Sequence, residues 1–311
     1  MTERVYILVG PTAVGKSEIA LRIAEKLDAW IISADSRQVY RGMDIGTAKP
    51  TESERVRIKH FLIDVVDPDH TFSAGDFLSN AHDILQKAAE QKKAAMVVGG
   101  TGLYVRALVK GFNLANTPRI SEIHESLIQR LEKDGLESLV DELKELDPKA
   151  AQAVDLKNPR RVVRALEIIK ATGKPIDEAR GRCDSDECEF VVVGLKRQRE
   201  SLNERIRLRT YAMIHAGWIE EVRGLMERNL HLESPAMTGI GYKEIREYLD
   251  GEITLELAIE RIITRTRQFA KRQMTWFNAE DYIDWVDLES DDKPEDVAEK
   301  ILSMFCENSI R

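Results

Sequence analysis

The spacing of apolar and polar positions in the first third of the chain predicts strands separated by helices. Short apolar runs rich in β-branched residues occur at VYILVG, WIISA, FLIDVV and AAMVVGG. Between them, SEIALRIAEKL and FLSNAHDILQKAAEQ repeat their apolar residues at helical spacing. Strands that alternate with helices form parallel sheets through right-handed crossovers. The predicted fold class is therefore α/β, a parallel sheet flanked by helices.

The pattern changes after about residue 113. HESLIQRLEKDGLESLVDELKELDPKAAQAV and PRRVVRALEIIKATG both have helical spacing, and EFVVVGLKRQ then returns as a strand. We predict a mostly helical insertion domain over 114–189, carried by a core formed from 1–113 and 190–311. Within that core, residues 202–277 are again predicted to be helical, with a glycine-rich break at PAMTGIGYKEI.

A phosphate-binding loop is predicted at GPTAVGKS, which fits the pattern G-x-x-x-x-G-K-[ST] between a strand and a helix. Glycines at both ends of such a loop let the backbone N–H groups point at phosphate oxygens, and the helix dipole adds positive charge. The lysine supplies a point charge, and the serine hydroxyl is placed to bind Mg²⁺. The predicted di- or triphosphate site comprises Gly10, Pro11, Thr12, Ala13, Val14, Gly15, Lys16 and Ser17.

Two further loops follow predicted strands. Because parallel strands deliver their carboxyl ends to one edge of a sheet, Asp35 and the loop GGTGLY (99–104) are expected near the phosphate loop. Asp35 can orient Mg²⁺, accept a proton from a nucleophile or cap the next turn, and the sequence leaves these open. The glycines around Thr101 indicate either close approach of the backbone to a ligand or a tight turn. A P-loop ATPase is expected to have a Mg²⁺-binding Asp at the end of this strand, where this chain has glycine.

The distribution of charge changes what the net charge suggests. The formal net charge is −8, but residues 280–311 hold eleven acidic and three basic residues, so the rest of the chain is neutral. The segment 261–277 contains five basic residues and no acidic one, interleaved with aromatic residues. Such a face suits phosphate contact and base stacking, although it is also typical of a solvated helix. Further arginines with helical spacing are Arg160, Arg161, Arg164, Arg205 and Arg209.

Composition bounds the class of protein. With 43% hydrophobic and 32% charged residues, the chain is typical of a soluble globular protein, and no apolar run is long enough to span a membrane. Its first residues lack the features of a signal peptide. Cys183 and Cys188 have no second pair and no nearby His, which favours reduced thiols over a zinc site. We expect a cytoplasmic monomer that does not associate with a membrane.

Three classes of function can use these features. A switch GTPase is excluded because neither D-x-x-G nor N-K-x-D occurs in the sequence. A small-molecule or nucleotide kinase is compatible with the phosphate loop and with the insertion acting as a lid. An RNA-binding module would explain the arginine-rich helices but would leave the phosphate loop without a ligand.

A resemblance decides between these classes. GPTAVGKS, DSRQVYRGMDIGTAKPT, GGTGLY, NPRRVVRALE and RQFAKRQMTWF, in this order, resemble the bacterial tRNA dimethylallyltransferases over about residues 4–277. The resemblance implies a P-loop NTPase-like fold and transfer of a dimethylallyl group from dimethylallyl diphosphate to the N6 amine of the adenosine immediately 3′ of the anticodon. The acidic segment 280–311 lies outside it and is expected to be dispensable for chemistry.

The resemblance also implies roles for individual residues. The phosphate loop would hold the diphosphate with Mg²⁺, Lys16 and Arg209 would stabilise the departing pyrophosphate, and Arg205 would assist them. Asp35 would act as general base on the amine, which Thr101 would help to position. The insertion would clasp the anticodon stem. The implied tRNA-contacting residues are Asp35, Ser36, Arg37, Gln38, Thr101, Pro159, Arg160, Arg161, Val162, Val163, Arg164, Lys271 and Arg272.

Overall fold

The chain forms two compact units. The structure is a computed structural model that describes residues 3–111, 120–180, 188–228, 230 and 234–307. The larger unit comprises Met1–Val109 and Asp186–Arg311, and the smaller unit comprises Lys110–Ser185. The smaller unit thus begins and ends four residues earlier than the insertion predicted from the sequence.

A six-stranded sheet forms the centre of the larger unit. The strands are β1 (Glu3–Val9), β2 (Ala29–Ser33), β3 (His60–Phe61), β4 (Ala94–Gly99), β5 (Cys188–Arg197) and β6 (Ile283–Leu288). Their order is β3-β2-β4-β1-β5-β6, and all neighbours are parallel. The predicted α/β class, a parallel sheet flanked by helices, is confirmed.

Helices account for most of the remaining described residues. None of the helices in these ranges combines the length and apolar composition needed to cross a membrane. In chain order they are α1 (Lys16–Leu27), α2 (Glu52–Arg57), α3 (Ala74–Glu90), α4 (Gly102–Val109), α5 (Ser121–Leu146), α6 (Pro148–Ala153), α7 (Pro159–Thr172), α8 (Ile176–Arg180), α9 (Arg199–His215), α10 (Trp218–Glu227), α11 (Tyr242–Leu249), α12 (Leu255–Phe277) and α13 (Pro294–Glu307).

The third predicted strand is much shorter than its apolar run suggests. FLIDVV predicts a strand over 61–66, but β3 ends at Phe61, and Val66 forms only an isolated bridge with Tyr40. Leu62 and Asp64 adopt left-handed backbone conformations, with φ of 60° and 56°. Such residues cannot continue a strand. The turn they make brings the Asp64 carboxylate to a buried lysine, described below.

The acidic C-terminal segment is part of the fold, which argues against the expectation that it is dispensable for chemistry. β6 pairs with β5 from Ile283 to Leu288, and α13 packs against α1. Val286, Ile301 and Phe305 are buried in the main core, and the Phe305 ring lies 4.7 Å from that of Tyr6. The acidic residues from Asp284 to Glu299 are exposed. The high content of acidic residues in this segment therefore made its alternation of buried and exposed positions hard to recognise from the sequence.

Hydrophobic clusters of the described residues include two that position the cleft. The first joins the sheet to α1 and α13 and includes Leu8, Ile23 and Val193. The second joins α9, α10 and α11 and includes Trp218 and Tyr242. Three residues of the loop after β2 are also buried in this second core, namely Val39, Tyr40 and Met43. The second core therefore anchors the loop that carries Asp35.

The smaller unit has a helical core of its own. α5 packs against α6 and α7, and α7 packs against α8. Leu127, Leu139 and Leu166 are fully buried there. Gly135 has a non-helical backbone conformation that kinks α5. The predicted helical character of this segment agrees with these elements.

Candidate active site

A cleft of about 630 Å³ opens at the carboxyl ends of β1, β2 and β4. All of its walls belong to the larger unit. It brings together the phosphate loop, Asp35 and Arg209, which are far apart in the sequence. Its other lining residues include Arg205, Gln38, Lys49, Gly100, Phe269 and Gln273.

The phosphate loop has the geometry that its sequence predicts. β1 leads into it, and α1 begins at Lys16. Gly10 and Gly15 have positive φ values of 147° and 116°, and a Cβ atom on Gly10 would lie 2.6 Å from the Leu195 carbonyl oxygen. The start of α1 faces the cleft through Lys16 and Ser17. Anions are stabilised at such a helix N-terminus.

Three cationic side chains bind the loop itself. Lys16 Nζ donates to the carbonyl oxygens of Gly10 and Pro11 at 2.9 and 2.7 Å. Arg209 donates to Thr12 Oγ1 at 2.7 Å, and Arg205 Nε donates to the Ala13 carbonyl at 2.9 Å. The predicted grouping of Lys16, Arg205 and Arg209 around this loop is therefore present.

Two of these cations, Lys16 and Arg209, are held in an environment that disfavours their charge. Burial lowers the pKa of Lys16 to about 7, with Arg209 adding to the effect and Asp35 opposing it. Burial also lowers the pKa of Arg209, against an opposing effect of Asp35. An anionic ligand would relieve this cost, because an opposite charge favours the protonated form of both side chains. The cleft is thus suited electrostatically to a diphosphate.

Asp35 caps a turn and also lines the cleft. Its Oδ1 accepts a hydrogen bond from the Arg37 backbone N–H at 2.8 Å, so the capping alternative left open by the sequence is realised. No hydrogen bond from the described part of the chain reaches Oδ2. One carboxylate oxygen fixes the side chain, and the second remains available to a ligand.

Thr101 braces the Asp35 loop from the neighbouring strand. Its Oγ1 accepts from the Ser36 backbone N–H at 3.0 Å, and its own N–H donates to the Ala34 carbonyl at 3.1 Å. Within the described ranges, no hydrogen bond donated by the Thr101 hydroxyl is present, so its proton can be donated to a ligand. Thr101 therefore lies beside Asp35, as the order of the loops predicts.

The glycines next to Thr101 pack against protein. A Cβ atom on Gly99 would lie 2.1 Å from the Ala34 carbonyl oxygen, and one on Gly100 would lie 2.3 Å from Gln273 Nε2. A Cβ atom on Gly102 would overlap the Trp276 ring. Glycine is therefore required at these positions by neighbouring protein atoms, and not by close approach of the backbone to a ligand.

The segment DSRQ is held by contacts on both sides. Gln38 accepts from Ser33 Oγ at 2.8 Å and donates to the carbonyls of Thr47 and Ala48 at 3.3 and 3.1 Å. The Arg37 guanidinium donates to the Pro235 carbonyl and to Thr238 Oγ1. These contacts connect the predicted tRNA-contacting segment to the GTAKP turn and to the loop before α11.

Lys49, within GTAKP, connects three segments of this region through its side chain. The sequence alone does not indicate this role. Its side chain is 1% exposed, and Nζ donates to the Tyr40 carbonyl, Asp44 Oδ1 and Asp64 Oδ1 at 2.6, 2.7 and 2.5 Å. Burial by itself would raise the pKa of Asp64, but Lys49 and Arg55 outweigh burial and hold that pKa below its usual value. All three ammonium protons are used.

We expect Lys49→Met to lower the free energy of unfolding by about 3 kcal/mol at pH 7, because it removes one partner from a buried ion cluster. The lowered pKa of Asp64 stabilises the folded protein at pH values above the pKa of this carboxyl in the unfolded chain. This stabilisation is lost as the pH falls through the lower pKa of the folded protein. The difference between wild type and variant should therefore shrink below about pH 4. Urea unfolding at pH 7 and pH 3 measures this. Lys87→Met, on the exposed face of α3, is the control; equal unfolding midpoints for wild type and Lys49→Met at pH 7 would contradict the expectation.

Gln273 was also missed by the sequence analysis. It lies on α12, is buried, and contacts both the phosphate loop and the loop at Gly100. In RQFAKRQMTWF, the basic and aromatic residues predict contact with nucleic acid, and this prediction gives the second glutamine no role. The available signal was a glutamine at the helical spacing of the buried Ala270 and Phe277.

The predicted tRNA-contacting residues differ in exposure. Lys271 and Arg272 are exposed on α12, and the Arg272 guanidinium lies 5.9 Å from the Phe269 ring centroid. In the smaller unit, Pro159, Arg160 and Arg161 are exposed at the start of α7, whereas Arg164 donates to the buried Glu167. The side chains of Val162 and Val163 lie in the core of that unit. Both valines can support the exposed arginines, but their buried side chains are not available for direct contact with tRNA.

The site fits a magnesium ion that is bound mainly through its substrate. Among the described residues, no three His, Cys, Asp or Glu side chains cluster as a protein-bound metal would require; Cys183 lies outside these residues. Mg²⁺ commonly takes one or two protein oxygens and completes its shell with water and substrate phosphates. Ser17 is exposed in the cleft at the start of α1, and Asp35 lines the same cleft. This donor set suits such an ion.

Comparisons with known proteins identify relatives over nearly the whole chain. The family model described as IPP transferase matches residues 38–280. The tRNA dimethylallyltransferase of Natranaerobius thermophilus is 41% identical over 306 residues, which cover 98% of this chain and 92% of that protein. The tRNA dimethylallyltransferase 2 of Geotalea uraniireducens is 43% identical over 287 residues, with coverages of 91% and 92%.

Solved structures give the same result. The full-length tRNA isopentenylpyrophosphate transferase from Bacillus halodurans superposes with a TM-score of 0.71 at 39% identity, covering 99% of this chain and 98% of that one. A eukaryotic dimethylallyltransferase acting on tRNA superposes with a TM-score of 0.80 at 27% identity, covering 99% and 80%. The resemblance drawn from the sequence motifs is confirmed. The chain belongs to the IPP transferase family.

Proposed function

We propose that this protein transfers the dimethylallyl group of dimethylallyl diphosphate to the N6 amine of the adenosine immediately 3′ of the anticodon in tRNA, releasing diphosphate. The observation that carries the proposal is one cleft that contains both desolvated cations and a carboxylate oxygen open to a ligand. Relatives named tRNA dimethylallyltransferase support the substrate assignment.

The donor end of the cleft would stabilise the leaving group. Lys16, Arg209 and Arg205 surround the phosphate loop, so negative charge that develops on the departing diphosphate would be met by fixed cations. Ser17 would help to hold Mg²⁺, and the ion would supply further positive charge at the diphosphate. The other residues of the loop, Gly10 to Gly15, would shape the anion site.

The acceptor end would activate the amine. The N6 lone pair is delocalised into the adenine ring, so the amine is a weak nucleophile until its proton is removed. Asp35 Oδ2 would accept that proton as N6 attacks the carbon bonded to the diphosphate oxygen, and the carbon–oxygen bond would break. The Thr101 hydroxyl would help to orient the amine. The adenine must leave the anticodon-loop stack to reach this position.

The tRNA itself would be bound by two surfaces. Lys271 and Arg272 are exposed on α12, and Arg160 and Arg161 are exposed on α7 of the smaller unit, which would clasp the anticodon stem. Ser36, Arg37 and Gln38 would contact the loop near Asp35. A tRNA substrate supports a cytoplasmic location for the enzyme.

The test is direct. Labelled dimethylallyl diphosphate, Mg²⁺ and unmodified tRNA are incubated with the protein, and the tRNA is digested to nucleosides. We expect label on the adenosine 3′ of the anticodon and none in a control tRNA that carries guanosine at that position. A parallel reaction with labelled ATP addresses the kinase alternative. Consumption of ATP with unlabelled tRNA would reject the proposal.

Binding of tRNA should depend steeply on salt. We expect the logarithm of the association constant to fall linearly with the logarithm of salt concentration, because basic side chains release counterions from the phosphates. Lys271→Gln with Arg272→Gln should reduce the slope by about 2, roughly 1 for each lost contact. The slope is measured by filter binding between low and physiological salt. Lys87→Gln on α3 should leave the slope unchanged, and a flat response in wild type would exclude phosphate contacts.

A further inference from the structure

Gln273 joins the two loops that form the cleft. Its side-chain Oε1 accepts from the Thr12 backbone N–H at 2.8 Å, and its Nε2 donates to the Gly100 carbonyl at 2.8 Å. Because Thr12 N is a donor and Gly100 O an acceptor, only one orientation of the amide satisfies both. Each end of the amide therefore holds a different loop.

The surroundings leave this amide little freedom. Gln273 is 7% exposed, and its neighbours Ala270 and Phe277 on the same face of α12 are 3% and 1% exposed. A Cβ atom at Gly100 would lie 2.3 Å from Nε2, so the loop closes directly onto the amide. Breaking one end of a buried bridge leaves a polar group without a partner, which costs more than the bond itself contributes.

The contacts continue from Gln273 to both ends of the cleft. On the donor side, Thr12 also accepts from Arg209 through its hydroxyl. On the acceptor side, Gly100 precedes Thr101, whose hydroxyl accepts from the Ser36 N–H beside Asp35. The two loops leave neighbouring strands, β1 and β4, whose pairing ends at Val9 and Gly99, and Gln273 continues the connection beyond that point.

We infer that Gln273 is a positioning residue that fixes the distance between the diphosphate site and the acceptor amine, an inference that rests on the proposed function. Both polar atoms of its amide are engaged with the protein main chain, so we assign it no direct role toward the diphosphate or the reacting atoms. Through its hydrogen bonds to Thr12 and Gly100, it keeps the leaving-group site and the general base at a fixed distance from each other. A misplacement of about 1 Å between reacting groups can cost about 10²-fold in rate.

Gln273→Met tests this role, because methionine fills a similar volume and makes neither hydrogen bond. We expect kcat for transfer to fall about 10²-fold, with little change in the affinities for pyrophosphate and tRNA. Those affinities depend on side chains that the substitution leaves in place, chiefly Lys16, Arg209 and Lys271. Gln86→Met, the same substitution at an exposed glutamine of α3, should leave all three quantities unchanged.

Gln273→Glu gives a second readout that a merely structural role would not move. Its carboxylate can still accept from Thr12 N, but its other oxygen meets the Gly100 carbonyl, and two acceptors repel. Protonation converts that oxygen into a donor. We therefore expect the activity of Gln273→Glu, relative to wild type at each pH, to rise as pH falls. This comparison stands if Gln273→Met does not fold.

Two results would overturn the inference. One is a Gln273→Met variant that is folded, by its melting transition, and transfers within about twofold of the wild-type rate. The other is a Gln273→Glu variant whose activity relative to wild type does not change with pH. Failure of the proposed function would look different, since the wild-type protein would then leave the tRNA unlabelled.

Discussion

Asp35→Asn should lower the rate of prenyl transfer by about 10² to 10⁴-fold, the usual contribution of a general base. Asparagine retains an oxygen that can accept from the Arg37 N–H, so the turn at this position should persist. It lacks the basic oxygen that would take the proton from N6. Pyrophosphate affinity should change little, because the cations at the phosphate loop remain. Single-turnover transfer with saturating donor and tRNA measures the effect.

The matched control is Asp83→Asn, the same change on the exposed face of α3. It should transfer at the wild-type rate. Full activity of Asp35→Asn on tRNA, together with ATP transfer to a small molecule by the wild-type protein, would refute the prenyltransferase mechanism. Full activity alone would remove Asp35 from the role of base.

Deletion of residues 280–311 should abolish cooperative folding. The deletion removes β6 and α13 and exposes the core surface that Val286, Leu288, Ile301 and Phe305 now cover. Burial of each such side chain contributes about 1.5–3 kcal/mol. The total rivals the net stability of about 5–15 kcal/mol that is typical of a folded protein. Circular dichroism and thermal melting of the truncated chain measure the effect.

Asp291→Asn with Asp296→Asn separates charge from burial. Both residues are exposed, so removing their charge leaves the apolar face of the segment intact. This double variant should melt close to the wild-type temperature. A truncated chain that melts cooperatively at the wild-type temperature would show that β6 and α13 contribute nothing to the core.

Features determined by short stretches of sequence could be predicted. The phosphate loop depends on eight consecutive residues between a strand and a helix, and Asp35 follows directly from the end of β2. The order of parallel strands then places both at one edge of the sheet. The roles of these residues in catalysis, the division of tRNA contacts and the monomeric state stay predictions.

Features determined by contacts between distant residues could not be predicted. Thr12 and Gln273 are separated by 261 positions, so no local pattern relates them. In the sequence, Lys49 resembles an ordinary surface lysine. In the structure, the positive φ at Asp64 brings the Asp64 carboxylate to the buried Lys49 Nζ. In β6 and α13, the acidic outer positions concealed buried ones. A weak period of apolar residues in IDWVDL was the only local signal for β6.

The anchoring of the Asp35 loop in the second core has a consequence for how the family can diverge. Val39, Tyr40 and Met43 pack against α9, α10 and α11, and α9 also carries Arg205 and Arg209, which bind the phosphate loop. Sequence drift in this helical core would therefore shift the Asp35 loop and the arginines at the phosphate loop together. Acceptor preference and donor preference are thus expected to evolve as coupled properties.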